Sequence, residues 1–105
     1  MDLPLPPNGR EVVDKFRAHA KERREARIAA LTKMIVEDAI AFFEKQFKDG
    51  NDHPADCMRA FSTTVDSRYI EEVTVRVRTH MQPHDWIVTL RGGLHEAAFI
   101  QVAPP

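Results

Sequence analysis

The chain has 105 residues, of which 43% are apolar and 30% charged, with a formal net charge of −1. This is the length of one domain, and the composition excludes a disordered or collagen-like chain. No apolar run approaches the roughly 18 residues of a membrane span, and the near-neutral charge argues against a strongly basic nucleic-acid binder.

Residues 1–9 contain Pro4, Pro6 and Pro7 and read as an extended lead-in, without the basic and apolar segments of a signal or transit peptide. Residues 10–105 are expected to form a single α+β domain, and the default location is cytoplasmic. The lone cysteine, Cys57, cannot close an internal disulfide, so the fold must rest on its core. A core this small also favours oligomers.

Residues 10–48 lack Gly and Pro and are rich in Ala, Glu, Lys and Arg, which predicts one helix capped by Asn8 or Gly9. It would be about 58 Å long at 1.5 Å per residue, so it must bend or reach beyond its own core. Ile28, Leu31, Ile35, Ala39 and Phe42 form one apolar stripe, flanked by Val36 and Phe43. A second, thinner stripe carries Val12, Phe16 and Ala20, continued by Ala30, Met34 and Ala41. Val12, Phe16 and Met34 are therefore the candidate oligomer interface, with a dimer favoured.

Pro54 opens a predicted short helix over residues 54–65, with Cys57, Met58, Phe61 and Val65 facing the core. From Tyr69 the apolar residues alternate, and Val73, Val75, Val77 and Met81 predict a strand over 73–81. Residues 82–85 would turn it into a strand over 86–91, with Met81 facing Trp86, Thr79 facing Val88 and Val77 facing Leu90. Gly92-Gly93 would lead to a third strand over 95–102. The expected fold is α+β, in the order α-α-β-β-β: a long helix and a short one on an antiparallel β-meander.

In that register Arg76 lies opposite Arg91, with Arg78 and His80 on the same outward side and Ile87 beside them. Like charges opposed on a sheet need an acid, a bound anion or a partner to offset them. An apolar residue among arginines has the composition of a protein interface. Arg76, Arg78, Arg91, His80 and Ile87 are thus the candidate site for a protein or anionic partner. Arg76 and Arg91 are the candidate clamp for a nucleotide-like ligand between subunits. Arg17, Lys21 and Arg24 share one helix side at a spacing that can follow a phosphate backbone, although Glu22 and Glu25 interleave and no aromatic residue accompanies them.

Nothing points to catalysis. His80 and His84-Asp85 bracket the first turn, but closed zinc sites normally take four ligands, and His95 lies at the far end of the hairpin. Cys57 with His53 matches no nucleophile motif, and a lone cysteine at a helix-core position is usually a small buried hydrophobe. No metal, cofactor, catalytic residue or membrane contact is expected. The expectation is a small non-enzymatic binding or regulatory protein that self-associates through its long helix, with nucleic-acid binding and inter-subunit anion binding as the alternatives. The charge supports this unevenness of surface: residues 1–33 carry a net +3, residues 34–72 a net −5, and residues 73–105 a net +1.

Overall fold

The computed structural model describes residues 2–61, 67–93 and 97–105. Helix α1 (Gly9–Lys48) is 40 residues long and starts where the sequence places it. The Asn8 side chain accepts hydrogen bonds from the backbone N–H of Arg10 at 2.9 Å and of Glu11 at 3.3 Å. These satisfy two of the donors that a helix leaves open at its start. Lys45 and Lys48 sit in the last turn, where the helix dipole favours positive charge.

The chain then forms one 3₁₀ turn (Pro54–Cys57) and strand β1 (Arg59–Phe61). Helix α2 (Ile70–Met81) follows, then a 3₁₀ turn (Gln82–His84), strand β2 (Ile87–Arg91) and strand β3 (Phe99–Ala103). The architecture is α+β, with a long and a short helix and three antiparallel strands.

The order of elements differs from the expected one. Residues 73–81 are helical, and the short helix expected over 54–65 shrinks to a single turn followed by a strand. Residues 62–66 lie outside those described. Val73, Val75 and Val77 fit a period of two, but Ile70, Val73, Val77 and Met81 also recur at three and four, and burial chooses between the two readings. Those four are buried while Val75 is 52% exposed. A helix buries Ile70 and Met81 on one face and turns only Val75 outward. Glu71 and Glu72 in the first turn and Arg78 and His80 in the last favour the same outcome through the helix dipole. The hydroxyls of Thr74 and Thr79 donate to the carbonyls of Ile70 (2.6 Å) and Val75 (2.8 Å), so their polar atoms are satisfied within the helix. The predicted pairing of residues 77–81 with 86–90 therefore does not occur.

The sheet is not a meander. Its order is β1-β3-β2, with β3 in the centre. Phe61 and Leu90 both stand opposite Ile100, and Arg59 and Val88 both stand opposite Val102. The third strand starts at Phe99 rather than at 95, and residues 94–96 lie outside those described. Both helices pack on the sheet face that carries Phe61, Val88, Ile100 and Val102. From α1, Ile28, Leu31, Ile35 and Ala39 enter this core, as the first stripe predicts.

Only the second half of α1 enters the core. Residues 9–27 contain no buried side chain, and Val12 alone is half-buried. They form an arm about 28 Å long at 1.5 Å per residue. The molecule measures 78 × 31 × 25 Å, with a radius of gyration of 20.1 Å. A compact chain of this length would have a radius of gyration of about 13 Å. The helix does not bend back; it reaches out.

Candidate functional site

Three surfaces offer chemistry. One is the groove between α1 and α2, about 460 Å³, lined by Ala29, Thr32, Lys33, Val36, Glu37, Arg76 and His80. At its upper end Arg76 ties the helices together. Its Nη2 donates to Glu25 Oε2 at 2.7 Å and its Nε to Glu72 Oε1 at 3.3 Å. The hydrogen bond and charge of Arg76 hold the Glu25 carboxyl below its ordinary value, and Glu25 in turn raises the Arg76 guanidinium. A carboxylate lowered in this way stabilises the fold above its unfolded pKa and loses that contribution as pH falls through the folded value. Wild type should therefore lose more thermal stability than Glu25→Gln between about pH 5 and pH 3. Coincident melting curves across that range would show that the pair contributes nothing. The effect is small because the pair is exposed.

The groove continues past Val36 and His80 into a cleft of about 110 Å³, shared by Ile40, Met81, His84 and Trp86. Trp86 stands edge-on to Phe43, with ring centroids 5.7 Å apart, and Phe43 neighbours Phe47 at 6.4 Å. Beyond Phe43 lies a cavity of about 280 Å³ lined by Phe47, His53, Pro54, Cys57 and Pro104, among others. Cys57 is buried there, and the His53 backbone N–H donates to Asn51 Oδ1 at 2.9 Å. The apolar face formed by Ala29, Val36, Ile40, Phe43 and Phe47 is a third side of α1. The spacing of three and four between these residues is visible in the sequence, but Val36 and Phe43 read there only as flanks of the core stripe.

The expected arginine face breaks up. Arg76, Arg78 and His80 stand on α2, not on the sheet, so Arg76 does not oppose Arg91 and the two cannot clamp one ligand within a subunit. Arg76 is held by two carboxylates. Arg78 Nε donates to the Val88 carbonyl at 3.1 Å, so it occupies a backbone acceptor of edge strand β2. Arg91 is exposed at the end of β2, opposite Phe99. Ile87 is exposed at the other end, beside a cleft of about 350 Å³ that includes Trp86 and Pro105. Only Arg76 and His80 share a surface. The cause is the period of residues 70–81: at 100° per residue, neighbours in an alternating pattern point in different directions.

Comparison with protein-family models, curated proteins and solved structures found no match. The geometry alone carries the reading that follows. Among the described residues no group of three or more His, Cys, Asp or Glu side chains is placed to hold a metal ion. His80 and His84 line one cleft, and His95 lies outside the described residues. No helix among the described residues is long and apolar enough to cross a membrane.

The arm is the second surface. Phe16 is 72% exposed and Met34 is 37% exposed on the thin stripe, with Val12 half-buried near its start. The third surface is the basic side of the arm. Arg17, Lys21 and Arg24 are exposed there; Arg24 lies 4.0 Å from Glu25, and Arg17 and Lys21 have no ion pair among the described residues.

Proposed function

We propose that this chain is a small non-enzymatic binding or regulatory protein that self-associates through α1, using the stripe of Val12, Phe16 and Met34. The observation that carries the reading is an arm of 19 residues (9–27) that buries no side chain, meets its own body through Glu25 near its base, and presents Phe16 to solvent. Most helical stability in proteins comes from packing an apolar face, and the arm buries none of its own. Burying a phenylalanine side chain stabilises by about 1.5–3 kcal/mol, so Phe16 has a large gain to realise in an assembly. A protein partner would meet the body at the α1/α2 groove, whose apolar floor is rimmed by Lys33, Glu37, Arg76 and His80, with Lys33 paired to Glu37 and Arg76 to Glu25 and Glu72.

Light scattering should give a dimer mass at micromolar concentration. Phe16→Ser should weaken the dimer at least about tenfold, the effect of losing roughly 1.4 kcal/mol. The melting temperature of the body should stay unchanged when measured at a concentration where both proteins are monomeric. A wild-type monomer throughout would overturn the reading.

A second reading follows from the unpaired charges of Arg17 and Lys21: the arm binds a nucleic-acid backbone. Such binding weakens steeply with salt. Absence of any bound oligonucleotide at low salt removes it.

A further inference from the structure

Residues 3–7 read Leu-Pro-Leu-Pro-Pro, five apolar residues in a row ahead of α1. Covalent geometry sets their backbone. Each proline fixes its own φ at about −65° and holds the residue before it in the extended region. Pro4, Pro6 and Pro7 thereby constrain every residue from Leu3 to Pro7, and the conformation this favours is the left-handed polyproline II helix. Asn8 continues the extended course at φ −63° and ψ 122° before its side chain caps α1. The segment is thus mounted on the free end of the arm.

Residues 2–8 lie outside any helix or strand and are exposed, with Leu3 at 80% and Leu5 at 94%. Among the described residues, nothing hydrogen-bonds to residues 3–7. The molecule's own aromatic cluster cannot cover them. Phe43 lies 34 residues beyond Gly9, about 51 Å along a helix, whereas Leu3 to Asn8 spans only about 16 Å.

We propose that Leu3–Pro7 is a docking segment for a partner protein that reads polyproline II through an aromatic-lined groove. Three residues per turn put Leu3 and Pro6 on one ridge, Pro4 and Pro7 on the next, and Leu5 on the third. Leu3-Pro4 and Pro6-Pro7 are then two apolar-proline steps one turn apart, about 9 Å, on adjacent ridges. Leu5 faces away from a groove that takes both steps. Pro4 and Pro7 have the PxxP spacing that such grooves recognise. A polyproline II strand makes no internal hydrogen bonds, so its carbonyls stay open to donors on the partner. The prolines also remove much of the ordering that binding would otherwise cost. A solvated spacer would account for the stiffness but not for two leucines left bare beside the prolines. This surface is separate from the Phe16 stripe and does not depend on self-association.

The test titrates the full chain into a panel of purified Src-homology-3 and WW domains, both readers of polyproline II, by calorimetry. At least one domain should bind the wild type, and Pro4→Ala combined with Pro7→Ala should weaken that binding at least about tenfold. Leu5→Ala, on the ridge that faces away, should change it by less than about twofold. These residues are exposed, so the melting temperature of the body should remain that of the wild type in every variant. Phe16→Ser should bind the domain as the wild type does, which separates this result from the fate of the self-association. Absence of binding to every domain, or binding that survives Pro4→Ala with Pro7→Ala, overturns the proposal. So does a wild-type dimer that the same two substitutions dissociate, because the segment would then serve a second copy.

Discussion

Ile35→Ala should lower the stability of the body by about 2–5 kcal/mol, the range for removing a buried isoleucine side chain and leaving part of the space unfilled. Ile35 is fully buried at the point where α1 enters the core with Ile28, Leu31 and Ala39. The same cluster contains Val73 and Val77 of α2 and Ile100 and Val102 of the central strand, all at 0% exposure. These side chains come from three distant segments, so the space left by Ile35 cannot be refilled by a local shift. A domain of this size has a total stability of about 5–15 kcal/mol, so the loss is a large fraction. The melting temperature should fall by at least about 8 °C, at 4–8 °C for each kcal/mol. A fall of less than about 2 °C would mean that α1 is not anchored where the core places it.

Gly92→Val should be the next most damaging change, at about 3 kcal/mol. Gly92 has φ +80°, a conformation that costs a residue with a side chain roughly 1–2 kcal/mol and a β-branched one more. A Cβ there would also lie 2.9 Å from the Ala97 carbonyl oxygen and 3.4 Å from the Ala98 Cα, both backbone atoms that cannot swing aside. Gly93 supplies the control. It too has positive φ, at +111°, but a Cβ would meet nothing within 4 Å. Gly93→Val should therefore cost clearly less than Gly92→Val in denaturant unfolding. Equal costs would show that strain alone matters and that the approach of Ala97 does not.

The long helix was fully legible because its signals are local: no Gly or Pro from residue 10 to 48, a cap at Asn8, and a stop at Asp49-Gly50. Residues 70–81 were ambiguous for a physical reason. Three β-branched valines at alternate positions favour a strand, and only the burial of Ile70 and Met81 on the same side as Val73 and Val77 makes the helix the better packing. Propensity lost to tertiary burial. Strand β1 was hidden because three residues are too few to show a period, and its place next to β3 depends on a pairing of Phe61 with Ile100 across 39 positions of chain. No window of sequence contains that contact. The candidate site suffered from the same ambiguity: the arginine face dissolved once residues 76–80 became helical, while the exposed stripe on α1, which depends only on helical spacing, kept Phe16 and Met34 on one side.

The continuity of α1 between the arm and the core makes the helix a ruler as well as a connection. No glycine or proline lies between residue 9 and residue 48, and the helix is assigned without a break, so the arm has no joint about which to swing. Anything gripped at Phe16 is held at a fixed distance from the groove at Val36, about 30 Å for 20 residues of rise. It is also held at a fixed rotation, because each residue inserted between them would turn the arm by about 100° relative to the body. The angular phase between the two ends is therefore written in the number of residues separating them, and what binds at one end is presented to the other in a single orientation.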